Sequence, residues 1–121
     1  MLTMEFTMKR LYREATVPYP AEFRNGKRYK VIALPGVPKL PCHYKYFDGV
    51  VVDRATQVIG YNKSIIKWGS LVVVEGQGCV RFEYEHWGIV DYVKRVSDGV
   101  YVGKFFRHGD FKGYFLLVRE D

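Results

Sequence analysis

The run LVVVEGQGCVRFEYEHWGIVDYVKRVSDGVYVGKFFRHGDFKGYFLLVRE, residues 71–120, decides the fold. Its apolar stretches are of strand length, and glycine-bearing turns cut them at short intervals. LVVVE ends at Gly76-Gln77-Gly78, CVRFEYEHW breaks at Gly88, IVDYVKRV stops at Ser97-Asp98-Gly99, VYVGKFF runs to His108-Gly109-Asp110, and YFLLVRE follows. That pattern belongs to an antiparallel meander and not to helices. A meander rich in aromatic residues curls around its own side chains or around a small apolar ligand. The sequence therefore predicts a mainly β fold, an antiparallel up-and-down barrel with a short N-terminal helix, in a single domain over residues 1–121.

Upstream of the meander the signals are more varied. Residues 4–15 (MEFTMKRLYREA) set Met4, Met8, Leu11, Tyr12 and Ala15 on one helical face and Lys9, Arg10, Arg13 and Glu14 on the other, and Val17-Pro18-Tyr19-Pro20 must end that helix. EFR-NG-KRYKVIAL reads as a hairpin turning at Asn25-Gly26. Three prolines between residues 35 and 41 mark a loop or an edge, and HYKYFDGVVV reads as two short extended pieces around Asp48-Gly49. Residues 53–67 are read as strand and turn, because Gly60 interrupts any helix that Asp53 could cap.

Alternation along the strands nominates the inward faces. Val80, Phe82, Tyr84 and His86 share one side, and Arg81, Glu83 and Glu85 the other, so the first set is expected to face the interior. Tyr84 and His86 then place a hydroxyl and an imidazole on an apolar wall, where each needs a partner from the protein or from a ligand. Asp91 alternates with Ile89, Val93 and Arg95, against Val90, Tyr92, Lys94 and Val96; both sets are mixed, and either orientation stays open. An inward Asp91 would pair with His86 and raise its basicity; an outward one would pair with a surface cation. Tyr101 and Phe105 flank Gly103, which leaves room for a close backbone or a ligand. The last strand is apolar on both sides, which predicts two covers: the interior, and the helix or a second copy in a homodimer.

Composition bounds the function. Hydrophobic residues make up 48% of the 121, and no apolar run reaches the roughly 20 residues that span a bilayer. The N-terminus does not have the form of a secretory signal, so the chain is read as soluble and cytoplasmic, with no membrane partner; reduced, packed thiols are the favoured reading of Cys42 and Cys79, and a disulfide between them is the lesser alternative. No cofactor and no metal is expected: there is no phosphate loop, no nucleophile elbow and no cluster at metal-ligand spacing. The net charge of +6 is spread along the chain apart from Arg24, Lys27, Arg28 and Lys30. A nucleic-acid partner is thus the third choice, and basic residues on a solvated turn are the simpler reading.

The segment from Leu71 to Arg119 resembles the lipocalin-like small barrels of the calycin group, and in particular an uncharacterised bacterial family that ends in a similar meander. The residues that carry this are Val74-Glu75-Gly76-Gln77-Gly78, Tyr84, Gly88 to Val96, Asp98-Gly99, Val102-Gly103-Lys104 and Tyr114 to Arg119. The resemblance implies an up-and-down barrel with a ligand cavity, and it brings no catalytic residues with it. Two functions follow. In the first, the barrel binds a small apolar or aromatic molecule, lined by Phe82, Tyr84, Tyr101, Phe105 and Tyr114, with His86 and Arg107 as polar anchors; ten tyrosines and eight phenylalanines make such a wall easy to build. In the second, the same cavity houses a cofactor-independent lyase, cyclase or isomerase for an aromatic or polyketide-like substrate, with Tyr84, His86 and Asp91 moving the proton.

Overall fold

Strands with apolar residues on both faces need a cover on each side, and the N-terminal segment supplies both. The computed structural model describes residues 4–23, 27–33, 44–46, 50–52, 66–84 and 88–120. They form one helix, α1 (Met4–Glu14), a single 3-10 turn (Pro20–Phe23) and eight strands. The strands are β1 (Arg28–Ala33), β2 (Tyr44–Tyr46), β3 (Val50–Val52), β4 (Ile66–Val74), β5 (Gln77–Tyr84), β6 (Ile89–Ser97), β7 (Val100–Arg107) and β8 (Asp110–Glu120).

All eight belong to one antiparallel sheet in the order β3-β2-β1-β8-β7-β6-β5-β4. Strands adjacent in the chain are adjacent in the sheet except β3 and β4, and β1 lies against β8. The fold is therefore mainly β, as the sequence predicts, but among the described residues no pairing joins β3 to β4 and the sheet is not closed. The connecting residues 53–65 lie outside the described ones. Two hairpins of the meander turn on a pair of left-handed residues, Glu75-Gly76 and His108-Gly109, the tight geometry that matches the strand twist.

Asn25-Gly26, where a hairpin is expected, lie outside the described residues, and the stretch before them is not the strand such a hairpin needs. Residues 20–23 coil into the 3-10 turn instead of a strand, and β1 pairs with β8 and β2. Pro20 suits the first position of a helical turn, and the turn carries Phe23 into the core, a burial that outweighs the local hairpin preference. Of the basic cluster, Arg24 lies outside the described residues, and Arg28 is engaged 2.8 Å from Glu120, its register partner on β8.

On one face of the sheet, α1 packs Met8 and Tyr12 against Val102 and Tyr114, with Leu11, Ala15 and Leu116 around them. Lys94 lies beneath the helix at 4% exposure; its ammonium donates to Gln77 Oε1 at 3.1 Å and to the Arg13 carbonyl at 3.4 Å, and burial pushes its pKa down. It also stands 5.1 Å from the centre of the Tyr12 ring, and Lys104 stands 4.7 Å from the same ring. The Tyr12 hydroxyl meets the buried Cys79 thiol. From α1 the chain passes over the end of the sheet. Thr16 and Arg95 exchange two backbone hydrogen bonds of 2.8 and 2.7 Å, and Val17 fits over Gly78, where a Cβ would come within 2.8 Å of it.

The 3-10 turn then lies on the other, concave face. Phe23 stacks among Tyr101, Phe82 and Tyr29 at ring separations of 4.6, 5.1 and 6.1 Å. Glu22 holds the turn in place, accepting from the Tyr101 hydroxyl at 2.9 Å and lying 3.5 Å from Arg95. Further along this face the Phe115 ring lies over Gly103, whose missing Cβ would sit 2.3 Å from the ring. The room that Gly103 provides is thus taken by the protein's own side chain. Gly103→Ala must displace Phe115 and should cost on the order of 1–3 kcal/mol in urea unfolding, with a smaller loss when Phe115→Leu is already present; equal losses in both backgrounds would contradict this packing.

Tyr12 and Tyr101 have hydroxyls whose pKa values burial raises above the ordinary 10.0, and the Glu22 carboxylate adds to the shift at Tyr101. The folded chain keeps these protons where the unfolded chain releases them. Their contribution to stability is complete below pH 10.0 and falls as pH rises past it. Unfolding midpoints should therefore drop between neutral pH and about pH 11, and less steeply in Tyr101→Phe.

Candidate functional site

Sheet register arranges the concave face in rows. Phe82, Asp91, Phe105 and Gly113 form one row across β5, β6, β7 and β8. The next row toward the β5–β6 and β7–β8 turns holds Tyr84, Ile89 and Arg107. On the other side, Val80, Val93, Gly103 and Phe115 lead toward the 3-10 turn. Phe23 and its neighbours fill that end, and Phe82, Tyr84, Ile89 and Phe105 belong to the same buried cluster; the buried polar pair of this face lies at the opposite end.

Asp91 points into this face and is 2% exposed, between Phe82 and Phe105 on the neighbouring strands. Both orientations were open from the alternation alone. The inward one holds because Ile89 and Val93 must be buried with the core, and Asp91 shares their side. A carboxyl group so placed needs a hydrogen bond, and Tyr84 supplies one: its hydroxyl donates to Asp91 Oδ2 at 2.9 Å. Tyr84 reaches Asp91 diagonally, since its direct partner on β6 is Ile89. The inward pairing weighed from the sequence was with His86, which lies outside the described residues.

The remaining nominated residues divide. Phe105 is buried beside Asp91 in the row just described. Phe82 is in the same row but packs on Phe23, and Tyr101 belongs to the plugged end with its hydroxyl on Glu22. Tyr114 lies on the opposite face of the sheet, under α1 and 6.2 Å from the Tyr12 ring. The notion of a common lining with Phe82 and Tyr101 does not survive the register: Phe115, its neighbour in β8, takes the concave side. Arg107 is exposed at the rim, opposite Asp110 at the hairpin end. Among the described residues no group of three or more His, Cys, Asp or Glu side chains could hold a metal ion, and no helix is long and apolar enough to cross a membrane.

Sequence reasoning did not find the plug. Phe23 and Glu22 sit in a segment whose Asn25-Gly26 signal suggested a hairpin, and only Pro20 hinted at a helical turn. Nor did it find Lys94 under the helix, because a lysine alternating with Val90 and Tyr92 has the pattern of an exposed edge.

The chain is similar to the solved structure of a protein from Thermomonospora curvata, with a TM-score of 0.67 and 24% sequence identity over 95% of this chain and 86% of that one. At that identity the likeness shows the fold alone. No protein-family model matches the chain. No curated protein matches it either.

Removing the Tyr84 hydroxyl takes one donor away from a buried acceptor. Tyr84→Phe should cost about 1–3 kcal/mol, and Tyr84→Phe with Asp91→Leu less than the two single losses added together. Additive losses in urea unfolding would mean that the two side chains do not act as a pair.

Proposed function

We propose that this protein binds a small apolar or aromatic molecule on the concave face of a lipocalin-like barrel, at the end away from Phe23. The observation that carries the reading is the Tyr84–Asp91 hydrogen bond of 2.9 Å, a polar pair buried in a wall otherwise made by Phe82, Ile89 and Phe105. Binding sites for small organic molecules have this make-up, mostly apolar with a few converging polar groups. The strand order supports the barrel: β3 meeting β4 would complete a ring in which every strand neighbours its chain successor. The compartment proposed is the cytoplasm, in keeping with the free, buried thiol of Cys79.

A second reading draws on the same pair. A phenol hydrogen-bonded to a carboxylate is equipped to pass a proton, so the site would serve a cofactor-independent lyase, cyclase or isomerase, with His86 as the third member. Native mass spectrometry of the protein purified from its source separates the proposal from an empty scaffold. The expected result is a co-purifying small molecule at one per chain, reduced in Asp91→Asn. No bound molecule, together with no thermal stabilisation by any aromatic compound tested, would refute the binding reading. Release of the molecule in chemically altered form, with Tyr84→Phe abolishing the alteration, would favour catalysis.

A further inference from the structure

We infer that the outer edge of β4 pairs with the same edge of a second copy of the chain, antiparallel about a two-fold axis, so that one sheet runs through both copies. From Trp68 to Val74 the strand has no charge and no proline, with Lys67 standing before this run and Glu75 after it. Edge strands are ordinarily guarded by a lysine, a proline or a bulge, because their unpaired N–H and C=O groups recruit other extended chains. In β4 the register with β5 shifts between Lys67 and Ser70, and from Ser70 to Val74 it runs without interruption. The irregular half is thus guarded, and the regular half is left with serine, leucine and three valines.

β4 is the last strand of the sheet, and among the described residues nothing pairs with its outer side. β3 has three residues against the nine of β4, so a ring closed by those two strands leaves most of this edge open. Leu71 and Val73 oppose Val80 and Gly78 in the register and share their side of the sheet, yet they are 54% and 75% exposed. Val17, which lies over Gly78, is exposed beside Val73, and Tyr19 is exposed just before the 3-10 turn that lies against β4. Apolar surface gathered at an open strand edge is a surface for association.

This edge is complementary to itself. Antiparallel pairing about Val72 sets Leu71 of each copy opposite Val73 of the other and Ser70 opposite Val74, so the exposed apolar side chains of both meet on one side of the shared sheet. The same pairing lays the Lys67 end of each strand along the Glu75 end of the other, with opposite charges at both ends of the contact. Two chains of net charge +6 repel one another, and an uncharged strip with complementary ends keeps that repulsion low where they touch.

Sedimentation equilibrium over about 1–200 μM tests this. The expected result is a reversible dimer of twice the 14.1 kDa chain mass. Val73→Lys, at a position too exposed to disturb the fold of one chain, should weaken it at least about tenfold. Glu75→Lys alone should weaken it too, and the exchange Lys67→Glu with Glu75→Lys should restore it; equal weakening by both contradicts the antiparallel alignment. Phe111→Ser, on β8 away from β4, should leave the dimer unchanged. A monomer at every concentration overturns the inference, and if that monomer loses stability in Val73→Lys, residues of the same chain cover the edge. A dimer that Val73→Lys leaves intact, or that Phe111→Ser disrupts, overturns it as well, because the contact then lies on another surface.

Discussion

The packing of Phe23 among Tyr29, Phe82 and Tyr101 is the contact on which the rest of the structure depends. The central strands have apolar side chains on both faces, and a sheet of that kind is stable only when both are shielded from water. The segment from α1 to the 3-10 turn does this with one continuous stretch of chain. Its helix covers one face through Met8 and Tyr12, its backbone bonds to Arg95 at the sheet end, and Phe23 covers the other face. Each cover positions the other, since the Thr16–Arg95 bridge lies between them in the chain.

This arrangement also sets what the concave face can do. With the aromatic cluster filling one end, the polar pair Tyr84–Asp91 sits at the other, where the β5–β6 and β7–β8 turns come together. The backbone of His108 donates to the Gly88 carbonyl at 2.8 Å and ties those turns to each other. The Asp91 carboxyl, buried in a wall of phenylalanine, is satisfied in part by the Tyr84 hydroxyl, as a polar group in such a place must be.

Much of the fold was legible because its signals are local. The period-two alternation of Val80, Phe82 and Tyr84 and the glycine turns at 76, 88, 99 and 109 define β5 to β8 directly, and the spacing of Met8, Leu11 and Tyr12 defines α1. Three features were not legible, each for a physical reason. Phe23 enters the core through a helical turn whose energy comes from long-range contacts, which a nearby Asn-Gly cannot report. Tyr114 and Phe115 are both apolar, so alternation alone does not say which faces the helix; the register with Gly103 decides it. The direction of Asp91 depended on Lys94 finding carbonyl and amide partners under α1, and those partners are distant in sequence.

The binding proposed above requires that the two ends of the concave face differ, one filled by the N-terminal turn and the other able to admit a ligand around Tyr84 and Asp91. Backbone amide chemical shifts recorded by NMR during addition of 2-naphthol test it most directly. The account predicts changes concentrated at Tyr84, Asp91 and Phe105, with Phe23, Tyr29 and the α1-covered Val102 and Tyr114 left in place. Changes confined to the α1 side, or centred on Phe23 as the turn is displaced, would contradict it.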